Sequence, residues 1–180
     1  MFADEAGQSL RPPKARTWSR RGHTPVLRVS GKGSGRVSLA GLIALKPAVR
    51  TRLIYRAIVH HGRKGFREKD FAALPDAAHQ QLGGPIVLVR DNSTQHVDAA
   101  MRSLIATRSW LTVYRLPPYA PDLNPVEGVW SHLKRSLGNL AAHSTDHLAA
   151  LVKSRLKQMQ YRPALLDGFV AETGLTLEPP

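Results

Sequence analysis

Apolar positions along the chain follow two rhythms. Through residue 60 they alternate with polar ones or run in short blocks. Met1–Glu5 reads as the tail of a strand, and Val26–Ser30 and Arg36–Leu45 read as strands joined through the glycine-rich stretch Gly31–Gly35. Leu53–His60 sets Leu, Tyr, Ala and Val against Ile, Arg, Ile and His, which predicts a third strand of this early group. From residue 68 the spacing lengthens. Phe71, Leu74, Ala78 and Leu82 predict a helix over 68–82, with Pro75 expected to break it or to start it. Ile86–Val89 is uninterrupted apolar sequence, the mark of a strand buried on both faces. Further elements are a helix over 97–107, a strand over 111–116, a rigid loop at Pro117–Pro121 and a helix from about Asn124. Beyond Thr145, Leu148, Leu151, Val152, Leu156 and Met159 keep helical spacing. This order describes a mixed α/β domain with helices covering a sheet.

Charge adds a partner to that picture. The net charge is +13, and residues 1–70 hold 16 Lys and Arg against four acids, so +12 of it lies there. A field of this size draws in a polyanion, and counterion release makes nucleic acid the usual one. A solvated basic face and a ribosome-associated protein are the plainer alternatives. The loop from Arg11 to Pro25 carries six basic residues, counting His23, around Trp18. Arg16, Arg20 and Arg21, with Lys32 beyond, are its candidate phosphate contacts. The absence of cysteine excludes disulfides and thiolate zinc sites and fits a reducing compartment. No apolar run nears the ~18 residues of a membrane helix, and residues 1–20 lack a signal peptide's apolar middle, so a cytoplasmic protein is expected.

Candidate chemistry rests on carboxylates. Asp91 follows the most apolar strand, where α/β sheets place their ligands, although a cap on the next helix or a turn through Asn92 and Ser93 accounts for it without chemistry. Glu127 sits third in Asn124-Pro125-Val126-Glu127, a capping-box pattern that needs no chemistry. Glu127, Ser131 and Lys134 also share a polar stripe, so a carboxylate lies one or two turns from Lys134 and Arg135, either as a metal ligand beside phosphate contacts or as a solvated face. Asp4, beside Glu5 near the terminus, is unremarkable alone.

Three segments change this reading when taken together. Pro117-Pro-Tyr-Ala-Pro-Asp-Leu-Asn-Pro-Val-Glu127-Gly-Val-Trp130 closely resembles the signature before the last catalytic acid of mariner-like bacterial insertion-sequence transposases, whose domain is called the DDE superfamily endonuclease. Val87-Leu-Val-Arg-Asp91-Asn-Ser-Thr-Gln-His96 is similar to that family's second-Asp strand, and 35 residues separate Asp91 from Glu127, a spacing of the family's kind. Phe2-Ala-Asp4-Glu-Ala-Gly7 resembles its first-Asp motif, and Arg11–Trp18 with His23-Thr-Pro25 resembles the segment after it.

The resemblance implies an RNase H-like fold, a mixed sheet flanked by helices, and metal-dependent cleavage and strand transfer of DNA. It implies Asp4, Asp91 and Glu127 as catalytic ligands of Mg²⁺ or Mn²⁺, two ions with Asp4 shared between them, and Asn92 and His96 as supporting residues. Glu5 is an alternative ligand, but neighbours on a strand face opposite ways. The expected division is a catalytic domain over 1–140 and a helical extension over 141–180. The family's helix-turn-helix region has no counterpart before Asp4, so its absence and a shortened opening strand are expected, as in a split reading frame or a decayed remnant. Expected partners are transposon-end and target DNA, with a second copy or a separate DNA-binding subunit. The competing functional class is an inactive remnant that binds DNA or full-length transposase. A ribonuclease acting on RNA–DNA hybrids shares the fold and metal but not the proline-rich motif.

Overall fold

The computed structural model describes residues 1–26, 28–29, 35–60, 68–91 and 99–175. Five strands form one sheet: β1 Phe2–Ser9, β2 Arg36–Lys46, β3 Val49–His60, β4 Ile86–Arg90 and β5 Leu111–Arg115. They stand in the order β3-β2-β1-β4-β5. Neighbours β1, β2 and β3 are antiparallel, while β4 runs parallel to β1 and β5 parallel to β4. The sheet is therefore mixed, with β1 at its centre.

Among its described residues, the expected early strand at Val26–Ser30 is not there. Val26, Arg28 and Val29 are exposed and outside the sheet, and Leu27 and Ser30 lie outside the described residues. Both edges of β2 are already taken, by β1 on one side and β3 on the other, so no edge remains for a hairpin through the glycines. The third early strand is instead the opening segment, and β2 turns into β3 through Pro47 and Ala48.

Among the described residues, five α-helices follow: α1 Glu68–Leu82, α2 Ala99–Ala106, α3 Pro125–Ser136, α4 Thr145–Gln160 and α5 Pro163–Glu172. Pro75 neither breaks nor starts α1, which runs through it. Proline removes one intrahelical bond, but Leu74 and Ala78 on either side are buried against the sheet and hold the helix in place.

Alternation along β2 feeds two cores. Val37, Leu39 and Ile43 join Val126, Val129, Trp130 and Leu133 of α3 and the apolar faces of α4 and α5. Ala40, Leu42 and Ala44 join Leu74 and Ala78 of α1 with Ile86, Leu88 and Leu111 of β4 and β5. The first core takes no residue from β4 or β5, which corrects the reading of β4 as buried on both faces. Ile86, Leu88 and Arg90 are buried, whereas Val87 is 52% exposed. An apolar run registers hydrophobicity, not which neighbour arrives to cover it. Among the described residues, no helix is long and apolar enough to cross a membrane.

Candidate active site

Register brings the first two acids together. Ala3 of β1 pairs with Arg90 of β4 in parallel, so Asp4 and Asp91 each lie one residue beyond that pair. They therefore sit together at the end of β4, where α/β sheets bind ligands. Asp4 and Glu5 face opposite sides of the strand, as the pleat requires. Asp4 points toward α3, accepting a hydrogen bond from Trp130 Nε1 at 2.9 Å. Glu5 acts electrostatically on Arg90, which is buried on the α1 side.

Helix α3 delivers the third acid. Asn124 caps it, its side-chain oxygen accepting from Val126 N–H at 3.2 Å, and Pro125 opens its first turn. The capping box does not form, because the Asn124 N–H donates to the Pro121 carbonyl at 2.9 Å. Glu127 stays exposed instead and faces a pocket. Asn124 also donates from Nδ2 to the Ala3 carbonyl at 3.3 Å, tying the start of α3 to β1 one residue before Asp4.

Asp4, Asp91 and Glu127 line one pocket of about 370 Å³, walled by the loop from Leu116 to Pro121 and by Asn124. Among the described residues, no three His, Cys, Asp or Glu side chains are gathered closely enough to chelate a single ion. The three acids are spread around the pocket but remain electrostatically joined. Burial raises the Asp4 carboxyl to about 7, Glu127 and then Asp91 push in the same direction, and the Glu5 N–H and Trp130 bonds oppose them.

Trp130 lies in the core and also has a second task. Its ring is 1% exposed, yet its one polar atom holds Asp4. Gly41, paired with Asp4 across β1 and β2, makes room for it, since a Cβ there would stand 2.9 Å from the indole. The available signal was that a buried indole N–H needs an acceptor, and Trp130 lies three residues after Glu127 on the same helix.

Arg16, Arg20 and Arg21 are exposed on the loop after β1, beside the fully exposed Trp18. The loop is fastened to the far end of α3: Asn139 accepts from Ala15 N–H at 3.1 Å and donates to its carbonyl at 2.7 Å. That brings the loop to the end of the helix that carries the exposed Lys134 and Arg135. Asn92, His96 and Lys32 lie outside the described residues.

Residues 1–149 match the family model of the DDE superfamily endonuclease. The chain is 35% identical over 69 residues to the transposable element Tc1 transposase of Caenorhabditis elegans, covering 38% of this chain and 25% of that one. The fold is similar to the catalytic domain of Mos1 mariner transposase, with a TM-score of 0.53 and 14% identity over 98% of this chain and 83% of that one. Against the mariner Mos1 paired end complex with Mg the TM-score is 0.62 at 14% identity, covering 98% of this chain and 56% of that one. The architecture is thus the RNase H-like one, and the chain spans a quarter of its curated relative and just over half of the longer Mos1 chain.

Proposed function

The chain belongs to the DDE superfamily endonuclease family, and from that premise we propose that it is the catalytic part of a DNA transposase. Its reaction is divalent-metal-dependent cleavage of a phosphodiester at transposon ends, followed by transfer of the freed strand into target DNA. The observation that carries this reading is the convergence of Asp4, Asp91 and Glu127 on one pocket from three distant parts of the chain. A half-buried carboxyl whose ionisation two neighbouring acids oppose is a site that gains from a cation. The donor set is all oxygen, which suits magnesium or manganese.

When bound, such cations supply an activated water and stabilise the leaving oxygen. In this reading there are two, and Asp4, Asp91 and Glu127 would hold them. Trp130 fixes the orientation of Asp4, and Asn124 fixes the start of α3 against β1. The loop from Leu116 to Pro121 walls the pocket in which the phosphate would lie. Arg16, Arg20, Arg21, Lys32, Lys134 and Arg135 bind the phosphates on either side, and Asn92 and His96 support the acids. A DNA 3′-hydroxyl then replaces water as nucleophile at the target. Residues 1–140 form the catalytic unit, and 141–180 an extension whose helices complete its core. The partners are transposon-end and target DNA, with a second copy or a separate DNA-binding subunit.

The test is nicking of supercoiled plasmid with Mg²⁺ or Mn²⁺, wild type beside Asp91→Asn. Metal-dependent nicking that the substitution abolishes, with DNA binding intact, is the expected result. Binding without nicking in both proteins would instead make this chain a DNA-binding module.

A further inference from the structure

We propose that Tyr119 is a stacking platform for a nucleotide base unstacked beside the scissile phosphate, a positioning role that rests on the nuclease reading above. Tyr119 lies in the loop that leads from β5 to α3, between Pro118 and Ala120. Pro117, Pro118 and Pro121 restrict the backbone of this loop. At Tyr119 the backbone has a φ of 57°, in the left-handed region that bulky residues rarely enter. A turn needing that conformation is served best by glycine or asparagine.

Folding does not account for the ring. Its side chain is fully exposed, at 103%, and belongs to neither core. A strained position therefore carries a large apolar ring that buries nothing within the described residues. Strain of this kind gathers at ligand clamps. The same residue lines the pocket of Asp4, Asp91 and Glu127. Trp18 is equally exposed but does not line that pocket.

The ligand class follows from chemistry and position. A phosphodiester lying among the carboxylates places its own nucleotide at the rim, within reach of the ring. Every base offers a π-face, so an aromatic platform holds a base without reading its identity. A base inside a duplex is closed to such contact, so the nucleotide must leave the stack. The prolines keep the entropy lost on capture small, because the loop is already ordered.

The test uses the full chain and a DNA duplex with a single-stranded 3′ overhang. The overhang carries 2-aminopurine at its first unpaired position, and EDTA allows binding to be read without cleavage. Wild type and Tyr119→Phe should quench the fluorescence. Tyr119→Gly should bind about tenfold more weakly without quenching, within the range for one stacked base, and should melt no lower than wild type. Quenching and affinity unchanged in Tyr119→Gly would overturn the proposal and leave the nuclease reading to the Asp91→Asn comparison. Loss of DNA binding by the wild type itself in a gel-shift assay would sink both.

Discussion

Asp4 carries a carboxyl that the fold makes reluctant to ionise. Its pKa rises from 3.8 to about 7 through burial and through the negative charge of Glu127 and Asp91. Because the folded value lies above the unfolded one, the folded chain holds that proton more tightly. The resulting stabilisation is complete below about pH 3.8, fades as pH rises and is gone above about 7. In EDTA, Asp4→Asn should therefore gain on wild type by several degrees in Tm between pH 5 and pH 8. Mg²⁺ added at pH 8 should raise the wild-type Tm and leave the variant nearly unmoved. Parallel melting curves in EDTA at both pH values would contradict the coupling of these acids. The candidate acids themselves were legible in the sequence, since motif order and spacing single out Asp4, Asp91 and Glu127. Their holder was not. That Trp130 donates to Asp4 depends on a helix and a strand 126 residues apart along the chain meeting at one point.

At the scale of elements, α3 and β1 form the frame of the site, and Asn124 joins them. Its two ends do separate work, one capping the helix and the other holding the Ala3 carbonyl. Asn124→Ala should cost about 1–2 kcal/mol in a urea titration and lower nicking further by loosening Glu127. Asn124→Ser keeps a capping oxygen but loses the reach to β1, so it should recover most of the stability and little of the activity. Equal recovery of both would show that the cap alone matters. The start of α3 was readable because its cap and proline mark it locally, whereas the break between α4 and α5 was not read. The strand expected over Val26–Ser30 failed for a non-local reason, since β1 and β3 already occupy β2.

For the whole molecule, charge and chemistry occupy neighbouring regions. The acids gather in one pocket, while the exposed arginines of the first loop are fastened through Asn139 to the basic end of α3. Replacing Arg16, Arg20 and Arg21 together with Ala should weaken binding to any DNA sequence. It should also reduce the slope of log affinity against log salt by about two to three. An unchanged salt slope, measured by fluorescence anisotropy at several ionic strengths, would place the phosphate track elsewhere. The same variant should melt like wild type, because those side chains are exposed.

Properties carried by neighbouring residues were open to reading from the chain alone. These include the strand and helix periods, the caps, the excess of positive charge and the three motifs that carry the family likeness. Tertiary structure alone decided which residues became neighbours. It paired Asp4 with Gly41 and set it beside Asp91, turned Glu127 away from a capping box, and left Val87 half-exposed. It also set a strained, exposed Tyr119 at the rim of the carboxylate pocket. The physical reason is that periodicity and capping are settled within a few residues, whereas burial, register and the electrostatics of a pocket depend on segments distant along the chain.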